Sequence, residues 1–347
     1  MKPFAFHSLR RCGAKVLVAG FALAGALSAQ AQPLTKIRYS HDWRFDGPSA
    51  IVLMAQGKGY FAKEGLEVTV DTGTGSVSAI QRVIGGTHEM GTADTSAMIE
   101  YMANNPSTPS VLGVYMLLEQ LPASVFSLKK KGITKPEDVQ GKTLASPAFD
   151  AGRKAFPVFA KAARIDASSV KWLNVDPALR ETLLIKGEAD AITGFYYTSL
   201  LTLESRGVKE SELNIMKYSD YGVNLYGNMV VTSPKFAAEN PALVSAFLRA
   251  FNRAVKDTLA NPKEAIKYLK ARDGIIDSSI EERRLRMFLS SVDTPATRAD
   301  GLGGVDMARL RMNIVQVSDA FGLKSYPDAE KLFTDKFLPS AQERALK

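Results

Sequence analysis

The chain has 347 residues, with 44 basic and 36 acidic side chains and a single cysteine. That length predicts about two domains and a core large enough to stand without cross-links. The basic excess forms no cluster interleaved with aromatics, which excludes a nucleic-acid groove; the longest run, Lys129-Lys130-Lys131, reads as a solvated turn before Gly132.

Lys2, Arg10, Arg11 and Lys15 open the chain without an acidic residue, and an apolar run from Val16 to Leu27 follows. Ala29-Gln30-Ala31 then gives the small-x-small pattern of a signal-peptidase site. Residues 1–31 therefore read as an export leader cleaved before Gln32, with a periplasmic destination. The apolar run, about 12 residues, falls short of the roughly 20 that a spanning helix needs. Removing the leader leaves 316 residues with 40 basic and 36 acidic groups, a net charge of +4 rather than +8. It also takes away the cysteine, and with it any disulfide, thiolate nucleophile or Cys metal site.

Strand-like runs alternate with helical ones along the mature chain, which predicts an α/β fold. Lys36–Ser40 alternates as a first strand, Pro48–Gln56 reads as an apolar helix closed by Gly57, and Leu66–Asp71 alternates as a second strand. Ser76–Ile84 is helical, and Val111–Leu118 reads as a buried strand. Thr143–Ala145 gives a short strand, and Ala151–Arg164 a helix that Pro157 should kink. Strand, helix and strand follow over Val170–Val175, Ala178–Ile185 and Ala189–Thr193. The two halves echo each other: Val70-Asp71, a helix and Met90–Asp94 in one, Val175-Asp176, a helix and Ala189–Gly194 in the other. Two ordinary βαβ units would look the same. The last third is helical. Asn240-Pro241 is a start signal with Asn as N-cap, and Asn261-Pro262-Lys263-Glu264 adds a capping box. Further helices are expected at Ser279–Ser290 and Asp306–Phe321, all packed on the first lobe. The predicted arrangement is 32–120 plus 226–347 as lobe one and 121–225 as lobe two.

The phrase Gln56-Gly57-Lys58-Gly59-Tyr60-Phe61-Ala62-Lys63-Glu64-Gly65-Leu66, with Asp42-Trp43-Arg44, Gly73-Thr74-Gly75-Ser76 and Gly91-Thr92-Ala93-Asp94, resembles the NMT1/THI5-like solute-binding proteins of ABC importers. These include nitrate, taurine, alkanesulfonate and thiamine-pyrimidine-precursor binders. Asp138–Ala145 and Gly187–Ala191 extend the resemblance, which runs from about Lys36 to Asn261. It implies a type II periplasmic binding protein fold: two lobes, a hinge, and a ligand cleft that closes. It also implies an inner-membrane permease as partner. The chain has no Walker A sequence, so the ATPase must be a separate subunit. The expected state is a monomer that binds no nucleic acid.

Candidate ligand contacts lie where open α/β sheets bind, at strand C-terminal edges. Gly75 and Ser76 join a strand to a helix whose first N–H groups can hold an anion, or Ser76 simply caps it. Trp43 offers a flat wall and Arg44 a bidentate fork. Asp94 and Thr95 open a helix, as cap or as cleft lining. Phe149, Asp150 and Arg153 form the second-lobe counterpart, with Arg153 as the candidate anion clamp. Phe195, Tyr196 and Tyr197 cannot all face one core, and Asn228 lies near the return crossing. His41 and His88 are the only histidines after the leader; no HExxH metal pattern and no G-x-S-x-G elbow occur. No cofactor, metal or catalytic residue is expected. The pyrimidine synthases of the same superfamily carry a cysteine-rich run that the mature chain lacks. The sequence thus points to a binding component for a small organic anion (a sulfonate or aromatic carboxylate) or a planar heterocycle. A sensory or synthase-like enzyme on the same fold is the alternative.

Overall fold

The computed structural model describes residues 33–106 and 110–346; the leader read at residues 1–31 lies outside them. Ten strands form two five-stranded sheets. β1 (Thr35–Ser40), β2 (Leu66–Asp71), β3 (Met90–Asp94), β4 (Leu112–Met116) and β10 (Asn228–Thr232) make the first, in the order β2-β1-β3-β10-β4. β5 (Ala123–Leu128), β6 (Thr143–Ser146), β7 (Lys171–Asn174), β8 (Ala191–Phe195) and β9 (Leu213–Lys217) make the second, in the order β7-β6-β8-β5-β9.

The sheets repeat one design. Three strands run parallel in each, and a fourth, β10 or β5, pairs antiparallel with the third. The echo between the two halves of the sequence is therefore structural. β2 keeps its alternation, with Leu66, Val68 and Val70 buried and Glu67 and Thr69 exposed. The inner strands β3, β5 and β10 are buried throughout, since helices cover both faces. The chain crosses between sheets after β4 and again after β9. The two crossings run side by side, with Leu121 N–H donating to Leu225 C=O at 2.9 Å and Gly227 N–H to Leu118 C=O at 2.9 Å.

The first helix begins later than expected. Gly47–Ser49 is a 3-10 turn, and α-helix runs over Ala50–Gly57. Helix Pro241–Ala260 packs on it, and Phe247 stacks on Tyr39 and Phe61 at 5.5 and 4.9 Å. This explains the turn at Tyr60-Phe61: both rings are core, set by Gly59 at φ 67°. Pro157 does more than kink. It separates Ala151–Lys154 from Phe156–Ala162 and sits in the first turn of the latter, where its missing N–H costs nothing.

Two caps differ from expectation. The Asn240 side chain does not cap the helix it precedes; it turns back to donate to Phe236 C=O. Asn261 does cap, accepting from Glu264 N–H at 3.2 Å, but the Glu264 carboxylate goes to Lys58 at 2.9 Å. The closing helices also reach beyond the first sheet. Ser278–Leu289 packs on both the 3-10 turn Gly47–Ser49 and helix Tyr196–Ser205, and Met307–Phe321 touches helix Phe156–Ala162. No helix among the described residues is long and apolar enough to cross a membrane.

Candidate functional site

A cavity of about 680 Å³, counting the part open to solvent, lies between the lobes. Strand ends build it. The loop after β1 contributes His41, Asp42, Trp43 and Asp46; the loop after β2 contributes Gly75 and Ser76; β10 begins at Asn228, opposite Asp94 in register. The second sheet supplies Asp150 after β6, and Phe195, Tyr197 and Thr198 at the end of β8. Arg180 enters from the first turn of helix Arg180–Lys186. Phe251 and Phe288 close the apolar side from the C-terminal helices.

On the first-lobe wall, the Asp42 carboxylate accepts from Asn228 Nδ2 at 2.7 Å and from Ser76 Oγ at 3.1 Å. Ser76 Oγ in turn accepts from Asp94 N–H at 3.0 Å. No cation pairs with Asp42 among the described residues, and burial pushes its carboxyl up to about 6. The Asp46 carboxylate, also buried, accepts from Thr198 Oγ1 at 3.4 Å; burial raises it to about 7 against the pull of Arg284. Burial lowers His41 to about 4, so its ring is neutral.

On the second-lobe wall, Arg180 is 1% exposed and fully engaged. Its guanidinium lies 3.1 Å from Asp150 and 2.7 Å from Glu181, and donates to Ser199 Oγ at 3.0 Å. Gly194 makes this possible: a Cβ there would fall 2.8 Å from the guanidinium carbon. The guanidinium carbon also lies 5.1 Å from the ring centre of Trp43, so the two walls touch. Burial raises the Asp150 carboxyl even beside Arg180.

Of the residues singled out in the sequence, Trp43, Gly75, Ser76, Asp150, Phe195 and Asn228 line this cavity. Six others do not. Asp94 caps helix Thr95–Asn104, accepting from Ser96 and Ala97 N–H at 2.9 and 3.2 Å. Thr95 Oγ1 donates to Gly227 C=O at 2.7 Å. Phe149 is exposed, and Tyr196 points outward to Glu210 at 3.0 Å with Lys217 over its ring. Arg153 is drawn to Ser146 C=O, Asn174 and the face of Trp172. Arg44 is half-buried and outside the lining, close enough to Asp46 for its charge to lower that carboxyl's pKa. The two arginines behind the expectation of an anion are thus both outside the cavity lining.

His41, Asp42, Asp46, Arg180, Thr198 and Phe288 line it without having been selected. Asp42 had a signal, since it lies two residues past the end of β1. Arg180 had no signal that it reaches the cavity: its neighbour Glu181 is an ordinary helix charge in the sequence, and its other partner, Asp150, is 30 residues away. Among the described residues, no group of three or more His, Cys, Asp and Glu is placed to hold a metal ion.

The family model described as NMT1/THI5 like matches residues 48–265. The riboflavin-binding protein RibY of Chloroflexus aurantiacus is 28% identical over 296 residues, 82% of this chain and 81% of that protein. The formylaminopyrimidine-binding protein of Halalkalibacterium halodurans is 24% identical over 270 residues, covering 76% and 80%. A 4-amino-5-hydroxymethyl-2-methylpyrimidine phosphate synthase of Legionella pneumophila is 25% identical over 220 residues, covering 63% and 67%. Among solved structures, the alkanesulfonate-binding protein SsuA from Xanthomonas axonopodis superposes with a TM-score of 0.65 at 14% identity, over 85% of this chain and 95% of that one. At that identity the likeness speaks to the fold, a two-lobed α/β periplasmic binding protein fold.

Proposed function

Because this chain belongs to the NMT1/THI5-like family, we propose that it is the solute receptor of an ABC importer and that it captures a flat nitrogen heterocycle bearing N–H or O–H donors. The observation that carries the reading is the meeting, in one cavity, of the Trp43, Phe195 and Tyr197 rings with the carboxylates of Asp42 and Asp46. Rings supply flat apolar walls, and carboxylates accept hydrogen bonds from amino, imino and hydroxyl groups. An anion would meet those same carboxylates, and the one lining guanidinium, Arg180, is already engaged by Asp150 and Glu181. The riboflavin and formylaminopyrimidine binders among the relatives are named for heterocycles of this kind.

In this reading residues 1–31 are a leader removed before Gln32, and the mature monomer works in the periplasm. Residues 32–120 with 226–347 form one lobe and 121–225 the other. The closed form docks on an inner-membrane permease served by a separate ATPase.

Calorimetry or thermal-shift titration with riboflavin, 4-aminopyrimidines, taurine, MOPS and nitrate tests the ligand class, since a bound solute raises stability by mass action. A response to the anions with none to the heterocycles overturns it.

The synthase-named relative supports a second reading, catalysis on a pyrimidine. The cavity lining carries neither lysine nor cysteine, which favours the receptor. Turnover by the purified protein would reverse that preference.

A further inference from the structure

The charge around the cavity does not balance. Asp42, Asp46, Asp94, Asp150, Glu181 and Glu281 are all buried there. Against these six carboxylates stand three guanidiniums: Arg180 and Arg284, both buried, and Arg44, half-buried. Arg180 is shared by Asp150 and Glu181. Arg284 pairs with Glu281, and it and Arg44 both lie close enough to Asp46 to lower its pKa. Asp42 is faced by neutral His41, by the amide of Asn228 and hydroxyl of Ser76, and by the charges of Asp94 and Asp150, with no cation.

Unpaired carboxylates do not persist as anions out of water; they take up protons or meet a cation. Burial has this effect here, raising Asp42 to about 6 and Asp46 and Asp94 to about 7.

A second, independent feature points the same way. Tyr39, Trp43, Phe195, Tyr197, Phe251 and Phe288 surround the cavity with ring surface, and ring faces attract cations. One of them already holds one, Arg180 over Trp43. Two further lining groups, each more than nine-tenths buried, have a polar atom without a protein partner: Asn228 Oδ1 and His41 Nδ1. Asn228 Oδ1 can only accept, so it too asks for a donor.

We propose that the solute is a cation, a flat ring carrying a protonated amine or a quaternised nitrogen, and that its entry displaces protons from Asp42 and Asp46 to solvent. This rests on the reading of the cavity as the solute site and narrows it.

A matched pair of probes tests it: 4-amino-5-(aminomethyl)pyrimidine, charged at neutral pH, and its N-formyl derivative, which is not. Riboflavin and taurine serve as neutral and zwitterionic sulfonate references. Calorimetry on the purified protein should show the amine binding at least tenfold tighter than its formyl derivative at pH 7.5. In a repeat at pH 6, where Asp42 and Asp46 hold protons in the empty cavity, its apparent enthalpy should depend on the buffer's ionisation enthalpy, which reports proton release. Its affinity should fall as the pH is lowered from 8 to 5.5, because the carboxylates refill with protons. In Asp42→Asn with Asp46→Asn, the preference should fall toward unity. Equal or tighter binding of the formyl derivative, or binding without proton release, overturns the proposal and leaves the heterocycle reading intact. Binding of taurine with neither pyrimidine nor riboflavin overturns the heterocycle reading itself.

Discussion

Gly75 and Phe149 meet across the cleft so closely that a Cβ on Gly75 would lie 2.1 Å from the Phe149 carbonyl oxygen. Gly75 also has φ 138°, a conformation other residues rarely adopt. Gly75→Ala should therefore obstruct closure while each sheet stays folded. We expect solute affinity to drop at least about tenfold, roughly 1.4 kcal/mol. Small-angle scattering with solute should show a larger radius of gyration than the parent. An unchanged radius and affinity would show that the two loops give way.

Trp43 meets Arg180 of the second lobe, so its surroundings change when the lobes part. The other tryptophan, Trp172, lies under Arg153 beside Phe156 and serves as background. In a Trp172→Phe protein, solute addition should shift Trp43 emission. Trp43→Leu should weaken binding by about 1–2 kcal/mol, the scale of losing ring contact. Silence of Trp43 on solute binding would place the solute away from it.

Removing Arg180 strands two buried carboxylates. Breaking one side of a buried ion pair typically costs about 3–5 kcal/mol. Urea unfolding of Arg180→Met should show a loss of that size. Arg180→Lys should recover only part, because an ammonium cannot span Asp150, Glu181 and Ser199 at once. A loss under 1 kcal/mol would mean the site is less closed to water than its burial indicates.

An unfolded aspartate ionises near 3.9, whereas folded Asp42 does so at about 6 and folded Asp94 at about 7. Between these values the unfolded chain releases protons that the folded chain keeps, so rising pH disfavours the fold. Stability of the solute-free protein should increase as pH is lowered from about 7 toward 4, the raised Asp42, Asp46 and Asp94 outweighing buried His41, whose lowered pKa opposes them below about 6.5. Below that the trend should reverse, because hydrogen bonds hold Asp138, Asp166 and Asp190 ionised in the fold. Asp42→Asn should flatten the upper slope in urea titrations at pH 5, 6, 7 and 8. An identical slope in that variant would assign the effect elsewhere.

The alternating strands, the glycine-closed turn before β2 and the repeated strand-helix-strand units were legible because each is a local pattern. The cavity was legible only where a residue's place at a strand end decided its direction, as with Trp43, Ser76 and Asn228. Arg44 shows the limit. A single residue after Trp43, it stays out of the cavity lining, and nothing in the order Asp42-Trp43-Arg44 says which of the three faces inward. Within Phe195-Tyr196-Tyr197 the middle ring faces out toward Glu210, a choice set by the helix that starts there. Phe288 reaches the cavity from 93 residues beyond Phe195, through the packing of helix Ser278–Leu289 on Tyr196–Ser205. Periodicity cannot report such a meeting.

The place of β10 sets an order of events. The second sheet is made of consecutive strands, β5 to β9, whereas the first needs β10 between β3 and β4. A chain emerging N-terminus first can complete the second sheet while the first still lacks its middle strand. Until residue 228 arrives, β3 and β4 present unpaired edges, the surfaces most prone to pairing with another chain. Closing the gap from Asp94 to Asn228 is a long-range step and a slow one. The half of the molecule made first is thus the half finished last, and its exposure during that wait is where a chaperone would be needed.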